Sequence, residues 1–357
     1  MLKIALNIKP LKTAHKDRGI GYYTAHLLES LKQDSFLEIE EFTDIGVVKD
    51  VDLLHYPWFD FYFHTLPIKR KYKTCVTIHD VIPLLFPTHY PVGLRGRVNF
   101  ILQKLALRSV DAIITDSVIS KKDIIKVLKI KDEKIYSIPL ASDKDFKILS
   151  DSKLLKVKRK YNLADQFLLY VGDVNWVKNL PFLIEGFKQL KKNPHLSNLN
   201  LILIGGAFLK QVEDFDHPEL ISIKTVNSLI KDFKLDGEVK RVGRVEKEEL
   251  VAFYNLATLY VQPSFYEGFG LPVLEALSCG APVICSDTDS LKEVGGEAAL
   301  YFNPTDKTQF SKIAEEVLLN KSLQKKLSDL ALRRAENFSW DKVSKQTKEV
   351  YLKIFND

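Results

Sequence analysis

Short apolar, β-branched runs alternate with amphipathic segments along the whole chain, and this rhythm constrains the fold more than any other feature of the sequence. When each strand is followed by a helix, the next strand returns parallel to it, so the pattern calls for parallel sheets with helices on their faces, an α/β architecture. In the first half the strand runs are residues 2–8, 51–56, 74–79, 112–115 and 135–138. In the second half they are 167–172, 199–204, 238–242, 258–261 and 283–286. Helical periodicity is clear at 22–32, 98–109, 180–191, 247–257 and 308–319. The rhythm breaks over 139–165, which is charged, starts with a proline and contains no strand run; the domain boundary is placed there, dividing 1–150 from 151–339. At 357 residues the chain is long for one core and comfortable for two. Past Asn337, the stretch FSWDKVSKQTKEVYLKIF reads as a last helix capped by Ser339 with Asp341 in its first turn, and 340–357 is expected to return to the first domain.

Hydrophobic residues make up 46% and charged residues 27%, the balance of a globular chain. The amino-terminal MLKIALNIKP has a short apolar core and no small-residue cleavage site, so it reads as a strand. No run of eighteen uncharged apolar residues occurs, so no membrane span is expected. Cys75, Cys279 and Cys285 lie in apolar surroundings without metal-ligand spacing, which suits reduced core residues in a cytoplasmic protein. Residues 1–150 hold 23 Lys+Arg against 18 Asp+Glu, while the remainder holds 29 against 28. Without an aromatic-interleaved basic stripe, that excess argues against nucleic acid as a partner. It suits a peripheral contact with an anionic membrane or a phosphorylated partner. Around Leu94, Val98, Ile101, Leu102 and Leu105 stand Arg95, Arg97, Lys104 and Arg108, a pattern read first as a helix whose apolar stripe faces a core and second as one lying on a membrane.

The most informative stretch is SFYEGFGLPVLEALSCGAPVICSD, residues 264–287. A strand ends at VQPS, a glycine loop follows, and Pro272 fits the first turn of a helix stopped by Gly280. Gly268, Phe269 and Gly270 let the backbone approach a ligand closely, and the helix start at Leu271 offers unpaired amides at the positive end of a dipole. That combination is an anion site. Glu267 lies in the loop and Glu275 about one turn into the helix, so each can take a set of hydroxyls on a phosphate-bearing ligand.

The Glu267 to Glu275 segment EGFGLPVLEALSCGAPVI resembles the signature of retaining GT-B glycosyltransferases, specifically glycosyltransferase family 4, and YVG…KNL resembles its mannosyl and rhamnosyl branch. LLYVGDVNWVKNL resembles the segment that carries the family's diphosphate-binding lysine, at Lys178 here. RGIGYYT resembles the first-domain glycine loop facing the donor phosphate, at Gly19 and Gly21, and TIHDVIP the active-site histidine segment, at His79. The resemblance implies two Rossmann-like domains facing each other across a cleft, with the C-terminal helix crossing back to the first. It implies transfer of a hexose from a nucleotide sugar, mannose from GDP-mannose first and a UDP-hexose second, to a glycan or lipid-linked acceptor with retention. Lys178 and the amides near Gly270 and Leu271 would hold the diphosphate, Glu267 the sugar and Glu275 the ribose. His79 would reach the sugar, and the backbone near Val242 the base. Many relatives keep an arginine beside the lysine; here those positions are Asp173 and Val177, leaving Arg18 and Arg244 as candidates for the second cation. Asp-x-Asp pairs such as Asp214/Asp216 and Asp287/Asp289 are ascribed to chance in a charged chain, so neither a metal nor another cofactor is expected. The competing readings are a sugar-nucleotide epimerase of the same fold, a non-catalytic nucleotide-sugar-binding subunit, and a dinucleotide-dependent dehydrogenase resting on Gly19 and Gly21 with Glu41 downstream.

Overall fold

The structure is a computed structural model that describes residues 1–13, 15–16, 19–209 and 220–356. Two units arise by contact, Met1–Ala141 with Phe338–Asp357, and Ser142–Asn337. The first contains, in order, β1 (Leu2–Asn7), α1 (Gly19–Lys32), β2 (Leu37–Phe42), β3 (Leu53–Tyr56), β4 (Lys73–Thr77), α2 (Ile82–Leu85), α3 (Leu94–Arg108), β5 (Ala112–Thr115), α4 (Val118–Leu128) and β6 (Ile135–Ser137). Its strands pair in parallel in the order β2-β1-β3-β4-β5-β6. Leu54, Val76 and Ile113 of the central strands pack against Ala106, Leu107 and Ile124 of the helices to form the core.

The second unit continues with α5 (Asp151–Lys160), β7 (Phe167–Val171), α6 (Leu180–Leu190), β8 (Asn200–Ile204), α7 (Ile221–Asp232), β9 (Val239–Val242), α8 (Lys247–Leu256) and β10 (Leu259–Gln262). It closes with α9 (Leu271–Ser278), β11 (Val283–Ser286), α10 (Asp289–Gly295), β12 (Ala299–Phe302), α11 (Lys307–Leu319) and α12 (Lys321–Ala335). Its order is β12-β11-β10-β7-β8-β9, all parallel, so the winding reverses between β7 and β10. Open parallel sheets bind ligands at the carboxyl ends of the strands on either side of such a reversal. The strands there are buried on both faces, which is why their sequences are continuous apolar runs.

α13 (Trp340–Asn356) follows the second unit in sequence but belongs to the first. The Ser339 carbonyl accepts from Val343 at 3.1 Å, and its hydroxyl accepts from the Lys342 amide at 3.3 Å. Ser30 donates to the Trp340 carbonyl at 3.1 Å, and Lys348 holds both oxygens of Asp34 at 3.0 and 2.8 Å.

Two strands have no counterpart in the sequence reading. β2 and β12 lie at sheet edges, where one face meets water, and LEIEEF carries three glutamates that hide its strand character. The division between units falls at 141/142, earlier than the expected 150/151. Residues 142–150 are fastened to the second unit, where the Ser142 and Ser278 hydroxyls lie 2.8 Å apart, Lys247 donates to Asp143 at 2.8 Å and the Leu149 amide donates to Asn255 at 2.9 Å. On α3 the residues turned to the core are Gln103, Ala106 and Leu107, while Leu94, Val98, Ile101, Leu102 and Leu105 are exposed. The core-facing reading of that apolar stripe is thereby set aside.

Candidate active site

In the second unit the site grows from the carboxyl ends of β7 and β10, which pair directly through Leu168 with Leu259 and Leu169 with Tyr260. After β7 a 3₁₀ turn, Trp176–Lys178, delivers Lys178. The turn ends on Asn179 in the left-handed region, φ 53°, whose side-chain amide donates to the Pro263 carbonyl at 3.1 Å and the Pro304 carbonyl at 2.9 Å. The glycine loop after β10 is tied to the same turn, because the Phe265 amide donates to the Val177 carbonyl at 2.7 Å and Trp176 stacks on Phe265.

These constraints bring Lys178 and Glu267 together. Lys178 Nζ donates to Oε1 and to Oε2 of Glu267, each at 2.8 Å, and both side chains are mostly buried. Oε1 also accepts from Ser264 Oγ at 2.6 Å and from Gln262 Nε2 at 2.8 Å, and Tyr260 donates to Gln262 Oε1 at 2.5 Å. A buried carboxylate is tolerable only when it is paired and hydrogen-bonded, and Glu267 is both. The ammonium retains one further donor direction, so an incoming anion can share or take it.

Gly270 sits at φ 109°, a left-handed position, and a Cβ there would lie 2.6 Å from Leu291 Cδ2, so glycine is required to turn the loop into α9. Gly268 and Phe269 are buried in that loop, and Leu271 opens the helix, whose first-turn amides lack intrahelical partners. Further along α9, Glu275 is buried and its Oε2 accepts from Tyr254 at 2.8 Å. Burial pushes its carboxyl up from 4.5 to about 7; the Tyr254 hydrogen bond opposes that shift and Asp143 adds to it. Val242 ends β9, with its carbonyl accepting from Gly205 at 3.2 Å, and Arg244 follows as an exposed side chain. Arg18 and Asp214/Asp216 lie outside the described residues. Among the described residues, no group of three or more His, Cys, Asp or Glu is arranged to hold a metal ion.

His79 belongs to the first unit, just past β4. Its Nδ1 lies 2.8 Å from Asp116 Oδ2, and Asp116 directly follows β5, the strand paired with β4. The edge of Tyr23 packs on the ring. Burial pulls the imidazole pKa down, but the adjacent Asp116 carboxylate, aided by Asp80 and the Pro57 backbone, outweighs it and leaves the value raised. Nε2 of His79 is buried with no hydrogen-bond partner among the described residues. Beneath it, His55 bonds Thr77 at 2.9 Å and Tyr351 at 2.5 Å, and burial holds its pKa down at about 3, so this histidine is neutral. Gly19 and Gly21 do not form the expected loop, since both lie in the first turn of α1. A Cβ on Gly21 would lie 2.3 Å from the His15 carbonyl oxygen, so its glycine is required by the loop backbone crossing the helix start.

Comparison with known proteins completes the picture. The pattern of the family described as glycosyl transferases group 1 matches residues 151–334. The chain is 31% identical over 285 residues to O-antigen chain mannosyltransferase B of Escherichia coli, covering 79% of this chain and 71% of that protein. The chain belongs to the glycosyl transferases group 1 family. Against the serotype-specific mannosyltransferase WbdA of Escherichia coli, this glycosyl transferase is 30% identical over 286 residues, 79% of its own length and 34% of the larger protein. It superposes on sucrose-phosphate synthase from Thermosynechococcus elongatus with a TM-score of 0.76 at 18% identity over 100% of both chains, which identifies the fold as GT-B.

Four residues of the glycosyl transferase's site escaped the sequence reading: Asp116 behind His79, Gln262 and Ser264 behind Glu267, and Tyr254 on Glu275. A trace was present for two of them. Tyr260, Gln262 and Ser264 alternate on one face at the end of an otherwise apolar strand, and polar groups so placed need a partner.

Proposed function

We propose that this group 1 glycosyl transferase belongs to the retaining family 4 and transfers a hexose, mannose from GDP-mannose first and a UDP-hexose second, to a hydroxyl of a glycan or lipid-linked acceptor. The observation that carries the reading is the Lys178–Glu267 pair beside the first turn of α9, at the point where the sheet reverses its winding. In this reading Lys178 turns to the donor diphosphate together with the α9 amides, which frees Glu267 for the sugar hydroxyls; Glu275 takes the ribose, Val242 lies by the base and His79 Nε2 meets the sugar. The acceptor oxygen bonds to the anomeric carbon as the bond from that carbon to the phosphate oxygen breaks. The acceptor's proton passes to the departing phosphate, whose growing charge Lys178 and the amides stabilise. No metal or other cofactor is needed for those steps. Mannose is placed first because the O-antigen and WbdA relatives are named mannosyltransferases. A cytoplasmic location and a peripheral membrane contact through the basic first unit complete the proposal.

The test is incubation with GDP-mannose or UDP-hexoses and a lipid-linked or oligosaccharide acceptor, with and without EDTA. Expected is an α-linked glycoside in both conditions. Conversion of the donor alone would indicate an epimerase, and donor binding without any product a non-catalytic subunit. Strict dependence on added Mg²⁺ or Mn²⁺ would overturn the metal-free mechanism.

A further inference from the structure

α3 has two apolar faces, and only one of them is used. Gln103 on the inner face accepts from the amides of Thr65 and Leu66 at 2.9 and 2.8 Å and donates to the Leu66 carbonyl at 3.1 Å, while Asn99 donates to the Tyr62 carbonyl at 2.9 Å. These bonds fix the rotation of the helix, so its opposite face is held outward. Successive helical residues turn by about 100°, which places Leu94, Val98, Ile101, Leu102 and Leu105 within an outward arc of about 100°. Leu94 is 81% exposed, Val98 58%, Ile101 68% and Leu105 50%. The loop clamped by Gln103 and Asn99 adds Phe63, 68% exposed.

Isolated exposed leucines need no explanation, but a continuous stripe of them along one helix does. The charges around it are one-sided. The same turn angle puts Arg97, Lys104 and Arg108 along one margin of the stripe and Arg95 along the other, and no Asp or Glu occurs anywhere from residue 81 to 110. A protein partner would meet such a surface with carboxylates around an apolar groove. A bilayer offers a continuous apolar layer beneath anionic headgroups, which fits a flat stripe with cations on both margins, because the long side chains lie along the apolar surface with their heads at headgroup depth.

We propose that α3, with Phe63 beside it, is a membrane-docking face that lies in the headgroup region of an anionic bilayer. The inference deepens the membrane part of the proposed function and rests on it for its meaning, but not on the donor assignment. Docking would present the first unit to acceptors carried in the lipid.

The experiment is co-sedimentation of the full chain with vesicles of phosphatidylcholine alone or mixed with phosphatidylglycerol, across a salt series. Two variants are included: Ile101→Gln with Leu105→Gln, and Arg97→Gln with Lys104→Gln and Arg108→Gln. Lys104 is half-buried over the Phe100 ring and the other altered positions are exposed, so circular dichroism with the thermal midpoint checks that each variant folds. Expected is binding to the anionic vesicles that weakens as salt rises. The apolar variant should lose it, and the charge variant should weaken it by roughly a hundredfold, about fivefold for each cation. Absence of binding to anionic vesicles at low salt overturns the proposal, as does binding by both variants as strong as that of the unaltered protein. So does a lipid-free dimer, seen by ultracentrifugation, that Ile101→Gln with Leu105→Gln dissociates, since the stripe would then belong to a second copy. Turnover with a water-soluble acceptor is measured in parallel. If turnover is absent with both this acceptor and a lipid-linked one while vesicle binding holds, the transferase reading fails and the docking face stands.

Discussion

Lys178 Nζ bonds both oxygens of Glu267, so each residue expected to touch the donor is also the other's counter-ion. Lys178→Ala should lower turnover by roughly 10²- to 10³-fold, the scale for losing one stabiliser of transition-state charge. It should also cost about 3 kcal/mol of stability, because Glu267 is left as a buried charge without its partner. The double variant Lys178→Ala with Glu267→Gln should recover part of that loss. Denaturant titration of the two singles and the double measures the coupling, and strictly additive losses would remove the pair from the stability account.

Glu267→Gln keeps the shape of the side chain and, with its amide oxygen at the Oε1 position, the bonds from Ser264 and Gln262, but loses one of the two bonds from Lys178 and weakens the hold on sugar hydroxyls. Affinity for the sugar nucleotide should fall, and affinity for the free nucleoside diphosphate should stay near that of the unaltered protein. Calorimetry with the two ligands decides it, and an equal loss for both would reassign Glu267 to the diphosphate.

Glu275 carries a pH signature. Its folded-state value is raised to about 7 from 4.5, so between those values the unfolded chain releases a proton that the folded chain keeps. Stability should therefore fall as pH rises through that window, by up to about 3 kcal/mol, and change no further from this group above it. Glu275→Gln should flatten the slope. If the ionised carboxylate takes ribose hydroxyls, nucleotide affinity should also rise as pH climbs through 7 in the unaltered protein only. Thermal-shift series at stepped pH read both effects, and an unchanged slope in Glu275→Gln would show that the titration belongs elsewhere.

Asp116 bonds His79 through Nδ1, and in the proposed reading this leaves Nε2 for the sugar. Asp116→Asn should lower the imidazole pKa from its raised value, read by NMR titration. The stability that the protonated imidazole gains from Asp116 below the ordinary histidine value, and that is lost as pH rises through the raised one, should vanish with it. Removal of the buried Asp116 carboxylate, whose own pKa burial raises, should offset part of that loss. Turnover should fall and its pH profile should shift; a fall with no shift would make Asp116 a packing residue only.

The sequence made some of this plain and concealed the rest for physical reasons. β7 and β10 are legible because strands buried on both faces must be apolar throughout, and the glycine loop is legible because Gly270 adopts a conformation that other residues avoid. Glu267 and Glu275 stood out beside it. That Glu267 pairs with Lys178 did not, since the two are 89 residues apart and meet through the pairing of β7 with β10. Asp116 reaches His79 the same way, across β5 and β4. On α3, periodicity marks an apolar stripe but cannot say which way it faces, because Ala106 and Leu107 form a second one on the inner side.

The placement of α13 reverses the order in which the two units can be completed during synthesis. Residues 142–337 form one uninterrupted stretch, whereas the first unit needs Tyr351 against His55 and the Ile354 carbonyl on Lys73, both supplied only after the second unit has been made. The earlier-translated half must wait with an open seam along β3 and β4 while the later half closes, and its exposure to proteases and to aggregation lasts as long as that wait. Stalled nascent chains ending before residue 338 should show a protected second unit and a cleavable first one.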